Sequence, residues 1–104
     1  MKSRIYFATK RLKSEFLGLK DDKIKDWINR ALDNISDDAF IGVHIGKRKI
    51  PKTYIKRYGI TNLWKYDLPQ GYRLLYSITG SDPAPIAIII SWMNHKEYER
   101  IFKY

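Results

Sequence analysis

The segment Asn62–Ile78, NLWKYDLPQGYRLLYSI, constrains the fold more than any other part of the chain. Side chains along a strand alternate between its two faces. Trp64, Tyr66 and Leu68 therefore share one side of the first run, and Lys65 and Asp67 take the other. In the second run Tyr72, Leu74, Tyr76 and Ile78 share a side, and Arg73, Leu75 and Ser77 take the other. With Pro69-Gln70-Gly71 as the loop, Leu68 pairs with Tyr72 and those seven residues, from Trp64 to Ile78, all face the same way. A two-residue loop would flip one strand and mix the two sets. The three-residue register sets Asp67 opposite Arg73, with Lys65 one pleat away on the same face. Two cations against one acid on one sheet face admit two readings. One is a cross-strand ion pair with a spare lysine, worth under ~1 kcal/mol if exposed. The other is a site for a phosphate.

The rest of the chain supplies partners for that hairpin. Ile24, Trp27, Ile28, Ala31, Leu32 and Ile35 recur at i, i+3, i+4, i+7, i+8 and i+11, the stripe of an amphipathic helix over about 23–35, with Asp21 or Asp22 as its cap. Trp27 on that stripe reads as core. Leu12, Phe16 and Leu19 mark a shorter helix before it, and Ser3–Phe7 a short edge strand. Ile86–Met93 is apolar at nearly every position, as expected of a central strand covered on both faces. Its small residues share the parity Ala87, Ile89, Ser91, Met93 and His95, leaving room over the Arg73 face. A C-terminal tail follows. The expectation is one α+β domain spanning residues 1–104, with two N-terminal helices packed on one face of a small antiparallel sheet. The element order is β-α-α-β-β-β, with a short extra helix before the meander. The helices cover the aromatic face, so the side bearing Lys65, Arg73 and His95 is expected to be open.

Composition narrows the chemistry. Twenty Lys and Arg against 11 Asp and Glu give a net charge of +9, a field that attracts nucleic acid, anionic membrane or an acidic protein. With no cysteine, disulfides, thiolate catalysis and the usual structural zinc sites are excluded together. Two distant histidines, His44 and His95, fit no usual metal-ligand spacing. No cofactor is expected, and His44 reads as structural. The N-terminal MKSRIYFATKRLK lacks the apolar stretch of a signal peptide, and Ile86–Ile90 is too short to span a bilayer. A soluble cytoplasmic protein is the default expectation.

Between the helices and the hairpin, Ser36–Ile60 is punctuated by Gly42, Gly46 and Pro51, and Pro51 can open a short helix through Arg57. Lys47, Arg48, Lys49, Lys52, Lys56 and Arg57 are interleaved there with Tyr54 and Tyr58. Cations that track phosphates beside rings that stack on bases suit single-stranded nucleic acid. A solvated basic loop and helix is the plain alternative.

The pattern LWKYDLPQGYRLLY, with its G-Y-R-L-x-Y core, followed by a strand running into SWMNHKEYERIF, resembles the RelE/ParE superfamily of bacterial and archaeal toxins over most of the chain. The resemblance implies a RelE-like, ribosome-dependent mRNA endoribonuclease of a type II toxin–antitoxin system. In such enzymes the ribose 2′-hydroxyl attacks the adjacent phosphate without a metal, leaving a 2′,3′-cyclic phosphate and halting translation. It also implies an acidic antitoxin as partner, besides ribosome and mRNA, and none in a membrane.

Residue by residue, Arg73 matches the strand arginine that stabilises the phosphorane, and Lys65 the first of two basic residues in the preceding strand. Asp67 stands where ribosome-dependent members carry the second. His95 matches the C-terminal acid or base, and Tyr98 the tyrosine that holds or stacks the substrate. Lys96, with the basic run from Lys47 to Arg57, completes the expected RNA-binding set. Fixed guanidinium and ammonium groups can stabilise charge on equatorial phosphorane oxygens, and an imidazole as a class can carry a proton near neutral pH. The alternative is a non-catalytic binder, either ParE-like and directed at a topoisomerase or an orphan that keeps the fold to bind RNA. His95 with Arg73 and Lys65 favours the enzyme; Asp67 favours the binder.

Overall fold

In the computed structural model, which describes residues 2–80 and 83–102, the hairpin takes the register that alternation requires. Strands β3 (Leu63–Asp67) and β4 (Arg73–Thr79) pair antiparallel, with Trp64 opposite Tyr76, Tyr66 opposite Leu74 and Asp67 opposite Arg73. The Leu68 N–H donates to the Tyr72 carbonyl at 2.8 Å and closes the Pro69–Gly71 turn. Gln70 (φ 58°) and Gly71 (φ 80°) both lie in the left-handed region. That turn directs the chain back along its own path.

The sheet is larger than the meander expected from sequence, and it is mixed. Its order is β1-β5-β4-β3-β2, where β1 is Arg4–Phe7, β2 is Val43–Ile45 and β5 is Ile86–Met93. β1 runs parallel to β5, and β2 adds antiparallel to β3 as a second edge. A three-residue strand is too short to show alternation. The direction of β1 depends on where the following helices return the chain, which no local pattern records.

Helices α1 (Lys10–Leu17) and α2 (Asp22–Asp37) cover the aromatic face, as the stripe requires. The Asp21 carboxylate caps α2, accepting from the Lys23 and Ile24 N–H groups at 2.9 and 3.2 Å. Ile28, Ala31 and Ile35 are fully buried against Leu74, Tyr76, Ala87 and Ile89. Each isoleucine removed from water there contributes about 1.5–3 kcal/mol. Trp27 packs partly buried in the same layer, tilted on Tyr72 at 5.9 Å. Tyr76, also fully buried, donates its hydroxyl hydrogen to the Ala39 carbonyl and accepts from the Gly42 N–H. Gly42 is required at that junction: a Cβ there would lie 2.6 Å from both the Lys65 carbonyl oxygen and the Tyr76 hydroxyl.

Four expectations about the other face are corrected. It is not open, and the helices are not confined to one side. Helix α3 (Lys52–Tyr58) and helix α4 (His95–Phe102) build a second core on that side from Ile45, Ile50, Ile60, Leu63, Leu75, Ile90, Met93 and Tyr98. The C-terminal tail is therefore helix α4, begun by Asn94, whose side-chain oxygen accepts from the Glu97 N–H at 2.9 Å. The β5 parity is also broken. Leu75 pairs with Ser91 and Tyr76 with Ile89, so Ile90 is the extra residue of a bulge. Ala87, Ile89 and Trp92 consequently join the α1/α2 core, while Ile88, Ile90 and Met93 face α3 and α4.

Candidate functional site

The turn after β3 brings the strand cations together. Asp67 accepts contacts from both: its Oδ1 lies 3.0 Å from Arg73 Nε and 3.5 Å from Lys65 Nζ. Arg73 Nη1 donates to the Gly71 carbonyl at 2.8 Å and approaches that of Tyr72 at 3.3 Å. The guanidinium is thus held on one side by the carboxylate and on the other by the turn backbone. Its Nε–H does not point at Asp67 Oδ1, so that contact is an ion pair without a directed hydrogen bond. Among the described residues Arg73 Nε is the buried side-chain donor that lacks one. The Arg73 and Lys65 side chains are 17% and 24% exposed, whereas Asp67 is 57% exposed. The cations therefore lie in the floor of the site and the carboxylate at its rim.

Tyr98 underlies both cations. Its ring centre is 5.4 Å from Arg73 Cζ and 5.8 Å from Lys65 Nζ. A ring quadrupole beneath a guanidinium adds electrostatic support. Tyr98 is only 4% exposed and stacks on Phe102 at 4.4 Å. Its buried ring thus packs beneath the two cations.

His95, at the start of α4, seats its Cβ against the same turn, since a Cβ on Gly71 would lie 3.1 Å from it. Gly71 thus joins two functions, because its carbonyl holds Arg73 and its missing side chain admits His95. The imidazole Nε2 lies 2.9 Å from Glu99 Oε1, one helical turn on, and both side chains are about half exposed. Sequence reading missed Glu99 and Gly71 as members of this group. The His95–Glu99 spacing of i, i+4 is a helical signal, but it has meaning only once the tail is recognised as helix.

The basic segment lies on the same side of the sheet. Lys47, Arg48 and Lys49 form an exposed 3-10 turn, and Lys52, Lys56 and Arg57 project from α3. Lys96 is exposed beside His95. Arg48, Lys49 and Lys52 line a groove of about 690 Å³ whose other wall is Ile101 and Phe102 of α4. Helix α4 therefore has the strand cations by its first turns and these cations at its end. Tyr54 and Tyr58 serve packing more than display. They meet edge to face at 6.0 Å, and Tyr54, its hydroxyl bonded to Ser91, has its pKa raised by burial. His44 lies edge-on to Trp64 at 5.0 Å on β2, away from this group in the fold. No cluster of three or more His, Asp or Glu among the described residues could hold a metal ion.

Two cations, Arg73 and Lys65, thus share the Asp67 carboxylate, and His95 packs against the same Gly71 turn. Comparison of the chain with protein-family models, with curated proteins and with solved structures returns no match.

Proposed function

We propose that this protein is a RelE-like toxin that cleaves mRNA on the ribosome by a metal-independent transfer to the 2′-hydroxyl. The observation that carries the reading is the convergence on one turn: Arg73 hydrogen-bonds the Gly71 carbonyl, His95 packs on the Gly71 backbone, and Lys65 shares the Asp67 carboxylate with Arg73. In this reading the scissile phosphate sits against Arg73 and Lys65. The 2′-oxygen bonds to phosphorus as the bond to the 5′-oxygen breaks, leaving a cyclic phosphate and a free 5′-hydroxyl. Arg73 and Lys65 stabilise the charge gathered on the equatorial oxygens. His95 delivers the proton that the departing 5′-oxygen needs. Asp67 holds the guanidinium by its ion pair, and in this reading its exposed carboxylate takes the proton from the 2′-hydroxyl. The ribosome supplies the in-line alignment of the substrate.

An acidic antitoxin would be held by the basic surface, and the site of action would be the cytoplasm; no described helix is long and apolar enough to cross a membrane. A second reading, a non-catalytic binder of RNA or of a topoisomerase, is favoured by one observation. Each candidate side chain already has a carboxylate beside it: Asp67 for Lys65 and Arg73, Glu99 for the His95 imidazole. Incubation with programmed ribosomes, followed by identification of mRNA 3′ ends, separates the two. Cyclic phosphate termini at A-site cuts support the nuclease, and uncut message with retained binding supports the binder.

A further inference from the structure

A cleft of about 330 Å³, with none of Lys65, Asp67, Arg73 or His95 in its lining, opens where α1, α3 and β5 meet. Arg11 of α1 and Arg57 of α3 line it, together with Thr9, Leu12, Glu15, Tyr58, Ile90 and Ser91. The two arginines lie 46 positions apart on helices that are not consecutive, and only folding brings them to one cavity. Glu15 is the acid in the lining. It pairs with Arg11 at 3.5 Å while both side chains are largely exposed (55% and 85%), a contact that is weakly held and readily exchanged. The exposed Arg57 guanidinium lies 5.4 Å from the Tyr58 ring centre, within range of a cation–π contact. The first turn of α1 carries Lys10, Arg11 and Lys13 and no acid, contrary to what the helix dipole favours. A helix end alone would not make a site. Here a guanidinium from a second helix and a cavity between them add a place for an anion to sit.

We infer that this cleft binds a backbone phosphate of single-stranded RNA, as a second anion site distinct from the Arg73 centre. The inference rests on RNA as the substrate class, and it does not require that the protein cleave RNA. Arg11 and Arg57 supply bidentate donors suited to phosphate geometry, and Thr9 Oγ1 can donate its hydrogen while it accepts from the Leu12 N–H. A phosphate held there would fix the strand at a second point and so limit the paths it can take to Arg73.

The test is an amide NMR titration of the full chain with a short 2′-O-methyl oligoribonucleotide, which binds but lacks the nucleophile for cleavage, alongside inorganic phosphate. The expected result is that the oligonucleotide shifts the amides of Thr9–Leu12 and Ser91. Arg11→Gln with Arg57→Gln should abolish those shifts and lower the slope of log affinity against log salt by about 0.7, one phosphate's worth for a single strand. Lys23→Gln with Arg30→Gln, an equal charge loss at exposed positions of α2, should preserve both. Silent cleft amides, equal losses in the two double variants, or shifts with phosphate but none with the oligonucleotide would each overturn the inference. Cleft shifts in a protein that does not cut ribosome-bound mRNA would refute the nuclease reading and leave this one standing.

Discussion

Replacing Arg73 with alanine tests the site most directly, and the structure gives the scale of both effects. The change removes the side-chain donor to the Gly71 carbonyl, a second donor to the Tyr72 carbonyl that Leu68 N–H already satisfies, and the partner that Asp67 holds at 3.0 Å. Asp67 is more than half exposed, so water replaces the lost cation there, and Lys65 remains within 3.5 Å. The Gly71 carbonyl and the Tyr98 face lose more. One to two net hydrogen bonds, at about 0.5–1.5 kcal/mol each, put the stability cost at roughly 1–2 kcal/mol. A domain of ordinary stability, about 5–15 kcal/mol, stays folded under that loss. The catalytic cost is larger. Removing a fixed donor from a developing oxyanion costs about 2.7–4 kcal/mol, on the order of 10²–10³ in rate. Single-turnover cleavage of message on programmed ribosomes, run beside thermal unfolding, separates the two. Arg73→Lys should recover part of the rate, since it restores charge without the planar fork. A folded Arg73→Ala protein that cleaves at the original rate would refute the assignment.

Other outcomes follow from the same geometry. His95→Ala should lower cleavage about 10²–10⁴-fold by removing proton transfer, with an unchanged melting curve, because its exposed pair with Glu99 contributes little. Asp67→Lys should lower cleavage, since the 3.0 Å contact assigns Asp67 to orienting Arg73; a rise would show that the carboxylate damps the cation instead. Gly42→Ala should destabilise the fold by about 1–3 kcal/mol, measured by urea unfolding, because the new Cβ meets a carbonyl and the Tyr76 hydroxyl and threatens a buried hydrogen bond. Burial raises the pKa of Tyr54 and Tyr76 above the ordinary 10.0. The unfolded chain therefore releases these protons first, and stability present below about pH 10 should fall as pH rises beyond it. Tyr76→Phe should flatten that alkaline loss, and an unchanged slope would show that the hydroxyl titrates freely in the fold.

Much of the site was legible without coordinates. The hairpin register followed from alternation alone, because one buried face leaves a single pairing that keeps apolar residues together. That register already set Asp67 against Arg73. The stripe from Ile24 to Ile35 likewise specified both a helix and the face it buries, since period 3.6 admits one solution. What local periodicity could not carry was anything that depends on a bulge, a distant partner or a second layer. The extra residue at Ile90 reverses the parity of β5 without any mark in its uniformly apolar sequence. Parallel pairing of β1 with β5 joins segments some 80 residues apart, and α3 and α4 close the face that alternation left open. Sequence therefore determined that Lys65, Asp67 and Arg73 share one face of the hairpin, though not which β5 residues join them. Tertiary structure decided how covered that face is, that Tyr98 supports the cations from below, and that Gly71 seats His95 beside Arg73. Those are consequences of packing, in which a residue's surroundings come from chain far away in sequence.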